Sequence, residues 1–174
     1  MRADPIKIIP TKNVALATIT FCMLMLCALI SFAQPQKPPR PIKVTIGNAQ
    51  GLQFGAFSQT GSGGTVQVTS TGSRSSSGSI ILLNLGYTYA PAIYNIDSEP
   101  GVVVTIVNGS DVTLTGSGGG TMSLHLGSST PTSPFVVPRT PSPYPVYIGG
   151  TLTVNTGSVP GNYTGSFNIT FVQQ

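Results

Sequence analysis

The sequence predicts an all-β fold, an antiparallel sandwich of about 8 to 10 short strands behind an N-terminal export helix. Three observations carry that expectation. First, the closing stretch alternates: Tyr163, Gly165, Phe167, Ile169 and Phe171 interleave with Thr164, Ser166, Asn168 and Thr170. Successive strand residues point to opposite faces, so a period of two gives one apolar and one hydroxyl-rich face. Second, short runs rich in Val, Ile, Thr and Tyr recur along the chain, separated by Gly, Pro and Asn turn signals. Third, no helical period appears beyond the first few dozen residues.

The closing stretch is the clearest single element. It reads as one continuous half-buried strand from Tyr163 to Phe171, roughly 30 Å long at about 3.3 Å per residue. Shorter strands would have to pack along it.

At the other end, residues 1–33 read as a signal peptide. Arg2, Lys7 and Lys12 are followed by the uncharged run Val14 to Phe32, and Ser31 and Ala33 put small residues at the positions a signal peptidase reads. Cleavage between Ala33 and Gln34 is the expectation. The apolar run is close to a membrane span in length, so retention as an anchor stays open, and contact with a membrane is expected only through this segment. Cys22 and Cys27 are the only cysteines and both lie within it. A processed chain would therefore fold on packing alone, without a disulfide.

Beyond the signal the chain divides into a Pro-rich arm, residues 34–42, and a sandwich domain, residues 43–174. Burial of roughly two-thirds of the unfolded surface is usual for a domain of this size, which makes a staple unnecessary. Lys37, Arg40, Lys43, Arg74 and Arg139 face only Asp97, Glu99 and Asp111, a balance of +2. Phosphate binding needs clustered cations on one face, so nucleic acid is not an expected partner. Solubility has to come from Ser, Thr, Asn and Gln.

Taken in order, Pro35, Pro38, Pro39 and Pro41 make the arm extended and polyproline-like. Lys43 to Ile46 begins a strand. Leu52 to Ala56 and Thr65 to Thr69 alternate on either side of a turn at Gly61 to Gly64. Thr71 to Gly78 is a loop by composition, and Ser79 to Leu83, nearly all apolar, reads as a strand covered on both faces. Ile93 to Ile96 forms a strand closed by the Glu99-Pro100-Gly101 turn. Val102 to Val107 and Val112 to Thr115 flank Asn108-Gly109, which predicts a hairpin because both residues tolerate positive φ. Ser117 to Gly120 turns the chain into a strand with Met122, Leu124 and Leu126 on one face and His125 on the other. Thr130 to Pro145 holds six prolines, which excludes an interior strand and predicts a surface loop or edge. Tyr147 to Val154 then leads through Gly157 to Gly161 into the closing strand.

Several of these features occur together, and in the same order, in a known family. Leu52-x-Phe54-Gly55, Gly72-x-Arg74, Glu99-Pro100-Gly101, Thr121-Met122, Gly149-Gly150-Thr151-Leu152 and Gly161-x-Tyr163-x-Gly165-x-Phe167 make the chain resemble the exported bacterial domain-of-unknown-function family 4402. The similarity runs from about Val44 to Phe171. It implies a signal peptide, an immunoglobulin-like or pilin-like sandwich, a surface or extracellular location in Gram-negative bacteria, and no established activity or catalytic residue. The Pro-rich segment before Tyr147 departs from the Gly-, Ser- and Thr-rich loop expected there. The closing motif also resembles the last strand of pilus and spore-coat-like subunits, which implies assembly by strand exchange.

The residues offer little catalytic chemistry. His125 is the sole histidine and faces solvent on the predicted alternation, and a triad also needs an orienting partner and an oxyanion site. Asp97, Glu99 and Asp111 supply too few oxygens for calcium, and zinc would have one histidine and no cysteine in the processed chain. The Gly clusters do not lead from a strand into a helix, as a phosphate cradle must. The sequons at Asn108, Asn162 and Asn168 are ordinary in a Thr-rich chain. No catalytic residue, cofactor or metal is expected. Two segments could meet a partner: Phe135, Arg139, Tyr144 and Tyr147 on the proline frame, and the arm strand at Val44 and Ile46, which could pair with a neighbour's edge or be the domain's own first strand. The expected role is that of an exported, non-enzymatic structural or adhesive protein, whose partners are other copies of itself or surface proteins. The alternative is a carbohydrate-binding module that stacks glycan on the aromatic loop.

Overall fold

In a computed structural model of the chain, residues 40–46 and 50–174 are described. The expected signal helix, the cleavage site at Ala33 and Gln34 and most of the Pro-rich arm lie outside them. The described residues are all-β, with thirteen strands and no helix. In chain order these are β1 (Lys43–Ile46), β2 (Gln53–Phe54), β3 (Ala56–Val68), β4 (Arg74–Leu83), β5 (Tyr89–Ala90), β6 (Ala92–Asp97) and β7 (Val103–Asn108). There follow β8 (Val112–Gly116), β9 (Thr121–Thr130), β10 (Phe135–Val136), β11 (Tyr144–Val154), β12 (Tyr163–Thr164) and β13 (Ile169–Gln173). Every strand pairing is antiparallel.

The strand that organises the molecule is β11. On one edge β9 pairs with it from Tyr147 to Thr153; on the other, β6 takes Tyr144 to Ile148 and β3 takes Gly150 to Val154. Gly149 and Gly150 stand where the second edge changes partner. A Cβ on Gly149 would lie 2.5 Å from the Val68 carbonyl oxygen and 2.7 Å from the Ser70 nitrogen, so only glycine lets β3 approach there. Pro145 sits at the start of β11, before β9 joins, where a missing N–H leaves no ladder bond unmade.

Two cores follow from the two halves of β11. Over its first half, a small sheet ordered β10-β7-β13 closes the sandwich, and Val104, Phe135 and Val137 meet Ile96, Val146 and Ile148. Over its second half, Val66, Val68, Ile80, Leu114, Leu124 and Val154 form a separate buried cluster with Phe54. The opposite, outer face is hydroxylic. One row crosses five strands as Ser77, Thr65, Thr153, Ser123 and Thr113 in register, with Thr65 Oγ1 and Ser77 Oγ 2.7 Å apart. This row makes the outer face polar with hardly any charge, and Met122, Leu124 and Leu126 point inward as the alternation requires.

Five local expectations are corrected. Gly61 to Gly64 is an irregularity inside a single strand, β3, where the register slips between Gln59 and Gly64. Gly64 faces Gly78, and a Cβ on Gly64 would collide with the Ser77 carbonyl oxygen. Ser75 to Gly78 belongs to β4, where Ser75 stands opposite Gln67 and the Ser77 hydroxyl bonds that of Thr65 on the outer face. Ser79 to Leu83 is on an edge, paired with β3 alone, and Ile81 is 52 % exposed.

Asn108-Gly109 makes no hairpin: β7 pairs with β10 and β13 in the small sheet, and β8 with β9 and β12 in the large one. The chain crosses between sheets at that dipeptide. The closing stretch makes the same crossing in reverse, since β12 pairs with β8 and β13 with β7, so it is two short strands and not one. The two crossings are tied together, Gly109 N–H donating to the Asn168 carbonyl at 2.9 Å. Gly165 is pressed against Leu114, where a Cβ would come within 2.5 Å of Cδ2.

Candidate functional site

A wide concavity lies over the second core, where the small sheet does not reach. It has a volume of about 1160 Å³. Leu114, Met122, Leu124, Leu152 and Val154, all buried, form its floor. One wall is the start of β3, Ala56 to Gly61, and the other runs from Gly157 through β12 to Gly165 and Phe167. None of the residues lining it is charged.

Both walls present backbone without a strand partner. Ala56 to Gln59 pairs with β4 on one side, and among the described residues no strand pairs with its other side. Gly165 to Asn168 lies between β12 and β13 and belongs to no ladder. An apolar floor between two open edges is the geometry that accepts an added strand: backbone groups supply hydrogen bonds and alternate side chains fill the trough.

Arg74 lies behind one wall of this groove, bonded to three of its lining residues. Its Nη1 donates to the carbonyls of Phe54 (3.1 Å) and Ala56 (3.3 Å), its Nη2 donates to that of Leu83 (3.2 Å), and its Cζ lies 4.4 Å from the Tyr89 ring centroid. One cation thus ties β2 to β5. Gly55 lies between the first two acceptors, and any Cβ there would collide with Nη1. The motifs Leu52-x-Phe54-Gly55 and Gly72-x-Arg74 are therefore two sides of one contact.

The residues singled out from sequence fall in different places. Phe135 is 8 % exposed and packs in the first core, its ring centroid 5.8 Å from that of Tyr144. Tyr144 and Tyr147 are half-buried in β11, and Arg139 alone of the four is exposed. Val44 and Ile46 lie in β1, which pairs with β6 of the same chain, Val44 opposite Ile96 and Ile46 opposite Tyr94. His125 does face solvent, and its Nδ1 is 2.6 Å from Asp111 Oδ1 with both side chains mostly exposed. Exposure leaves this pair screened and without a desolvated pocket around it. Among the described residues no three of His, Cys, Asp or Glu come together as a cation site.

Residues 44–172 match the profile of a family described as Domain of unknown function (DUF4402). The chain belongs to that family. No curated protein and no solved structure matches the chain. The DUF4402 match takes in every strand from β2 to β12, and so both walls and the floor of the groove. Sequence reasoning missed the groove because its lining comes from several stretches spread from Leu52 to Phe167. The one local sign was Gly165, a small residue on the apolar face of an otherwise bulky alternation.

Proposed function

We propose that the protein is exported and non-enzymatic, and that it serves a structural role at the cell surface or outside the cell by pairing strands with other chains. The observation that carries this reading is the uncharged, apolar-floored groove between two walls that each have one side without a strand partner among the described residues. The edge of β4 supports it: from Ser75 to Leu83 it has no charged residue, and Arg74 is turned inward to the carbonyls of its neighbours. Natural sheets guard open edges with lysines, prolines or cover, and an unguarded edge is a template for pairing. The export part of the reading rests on the basic and apolar leader, residues 1–33. No observation favours the glycan reading, since Phe135 and Tyr144 are packed on each other over the first core.

Light scattering on size-exclusion fractions tests the proposal. The purified protein is expected to form a concentration-dependent series of multimers, and a monomer at every concentration would refute it.

A further inference from the structure

We propose that the groove accepts the Ile42–Ile46 segment of a second copy of this chain, so that copies join head to tail. This rests on the strand-pairing reading above and names the partner and the segment. Four observations lead to it. The groove is lined by no charge, so its occupant must present an uncharged apolar face, and its open walls call for an extended backbone. Ile42, Val44 and Ile46 alternate with Lys43 and Thr45, which gives an occupant one apolar face and keeps its single charge on the other.

The segment is also held in its present place from one side only. As β1 it is a four-residue edge strand, paired with β6 on one side only, and Val44 is 37 % exposed there. Removing it opens no interior ladder. Finally, the segment and the groove sit at opposite ends of β11. Ile42 packs against the first core and its N–H donates to Gln173 Oε1 at 3.0 Å, whereas the groove lies over the second core. The eleven residues of β11 span about 36 Å at ~3.3 Å each, so the segment reaches a neighbour's groove more readily than its own. The contact uses different surfaces on the two copies, and such contacts propagate into rings or filaments.

Two complementary variants of the full chain test this. Val44→Asp puts a charge on the donated face and leaves the groove intact; Phe57→Arg puts one in the groove wall and leaves the segment intact. Each alone is expected to lose multimers by more than about tenfold, as desolvating an unpaired charge requires. Mixed in equal amounts they should form dimers and nothing larger, because only one donor and one acceptor remain. Val159→Arg, at a position 41 % exposed on the groove rim, repeats the acceptor arm without touching the core if Phe57→Arg fails to fold. Multimers that persist in both single variants, or a mixture of folded variants that stays monomeric, would overturn this inference and leave pairing through another edge. A wild-type chain that never assembles would overturn the broader reading as well.

Discussion

Arg74 shows how much one side chain can settle in a protein with so few charges. Its guanidinium donates to three carbonyls gathered beside the bend at Gly55, those of Phe54, Ala56 and Leu83. A hydrogen bond from a charged donor contributes about 1.5 to 3 kcal/mol, and an orphaned buried acceptor costs a similar amount. Arg74→Met should therefore destabilise the fold by about 2 to 4 kcal/mol, read as a lowered denaturant midpoint at unchanged slope. Lysine cannot fork to the same acceptors, so Arg74→Lys should recover only part of the loss. Tyr94 is a second residue with a measurable signature. It packs 5.4 Å from Phe171 between ring centroids, and burial raises its phenol above the ordinary value of 10.0. The folded state then holds this proton more tightly than the unfolded chain does, so the contribution is complete below that value and is lost as pH rises through the folded pKa. Stability should fall on the alkaline side more steeply in the wild type than in Tyr94→Phe, and identical alkaline slopes would refute the assignment.

At the scale of elements, glycines decide where strands change partner. Gly149 lets β11 pass from β6 to β3, and Gly109 and Gly165 let the chain pass between sheets. Gly149→Ala would drive a methyl group into the backbone of β3 near Val68 and Ser70. The expected cost is about 1 to 3 kcal/mol, the range for an overpacked site, with a melting temperature lowered by several degrees. Ala at the exposed Gly86, with nothing within 4 Å, is a control for glycine loss without a clash, although its φ of +79° adds strain of its own. These switches also explain which expectations failed. The alternation from Tyr163 to Phe171 was legible, and Ile169 and Phe171 do face the first core while Tyr163 and Phe167 face the second. Alternation says which way side chains point along a strand and nothing about which sheet the strand joins. Likewise Asn108-Gly109 signalled a backbone able to turn, and the turn it makes leads into another sheet.

In the molecule as a whole, the two halves of β11 carry unequal cover. The first core lies between two sheets, and the second has a groove where the opposite layer would be. Fewer layers over the second core mean lower-energy local openings at that end. Amide exchange in β12 and in Ala56 to Gln59 should accordingly be faster than in β7 and in the first half of β11. Equal protection at both ends would show that the groove is already filled or closed in solution. An occupied groove should slow exchange at the second end and leave the first unchanged.

The sequence by itself determined that the domain, as far as its residues are described, is all-β, that Met122, Leu124 and Leu126 point inward and His125 outward, and that turns lie at Glu99-Pro100-Gly101 and Ser117 to Gly120. These are local matters, set by side-chain periodicity and by residues with special backbone freedom. Only the tertiary structure decided that Arg74 holds the bend at Gly55, that Phe135 is core and unavailable to a ligand, that Asp111 meets His125, and that an uncharged groove opens over the second core. Each of those joins residues from separate segments of the chain. Such contacts follow from sheet order and register, which depend on how all the strands compete for the same edges.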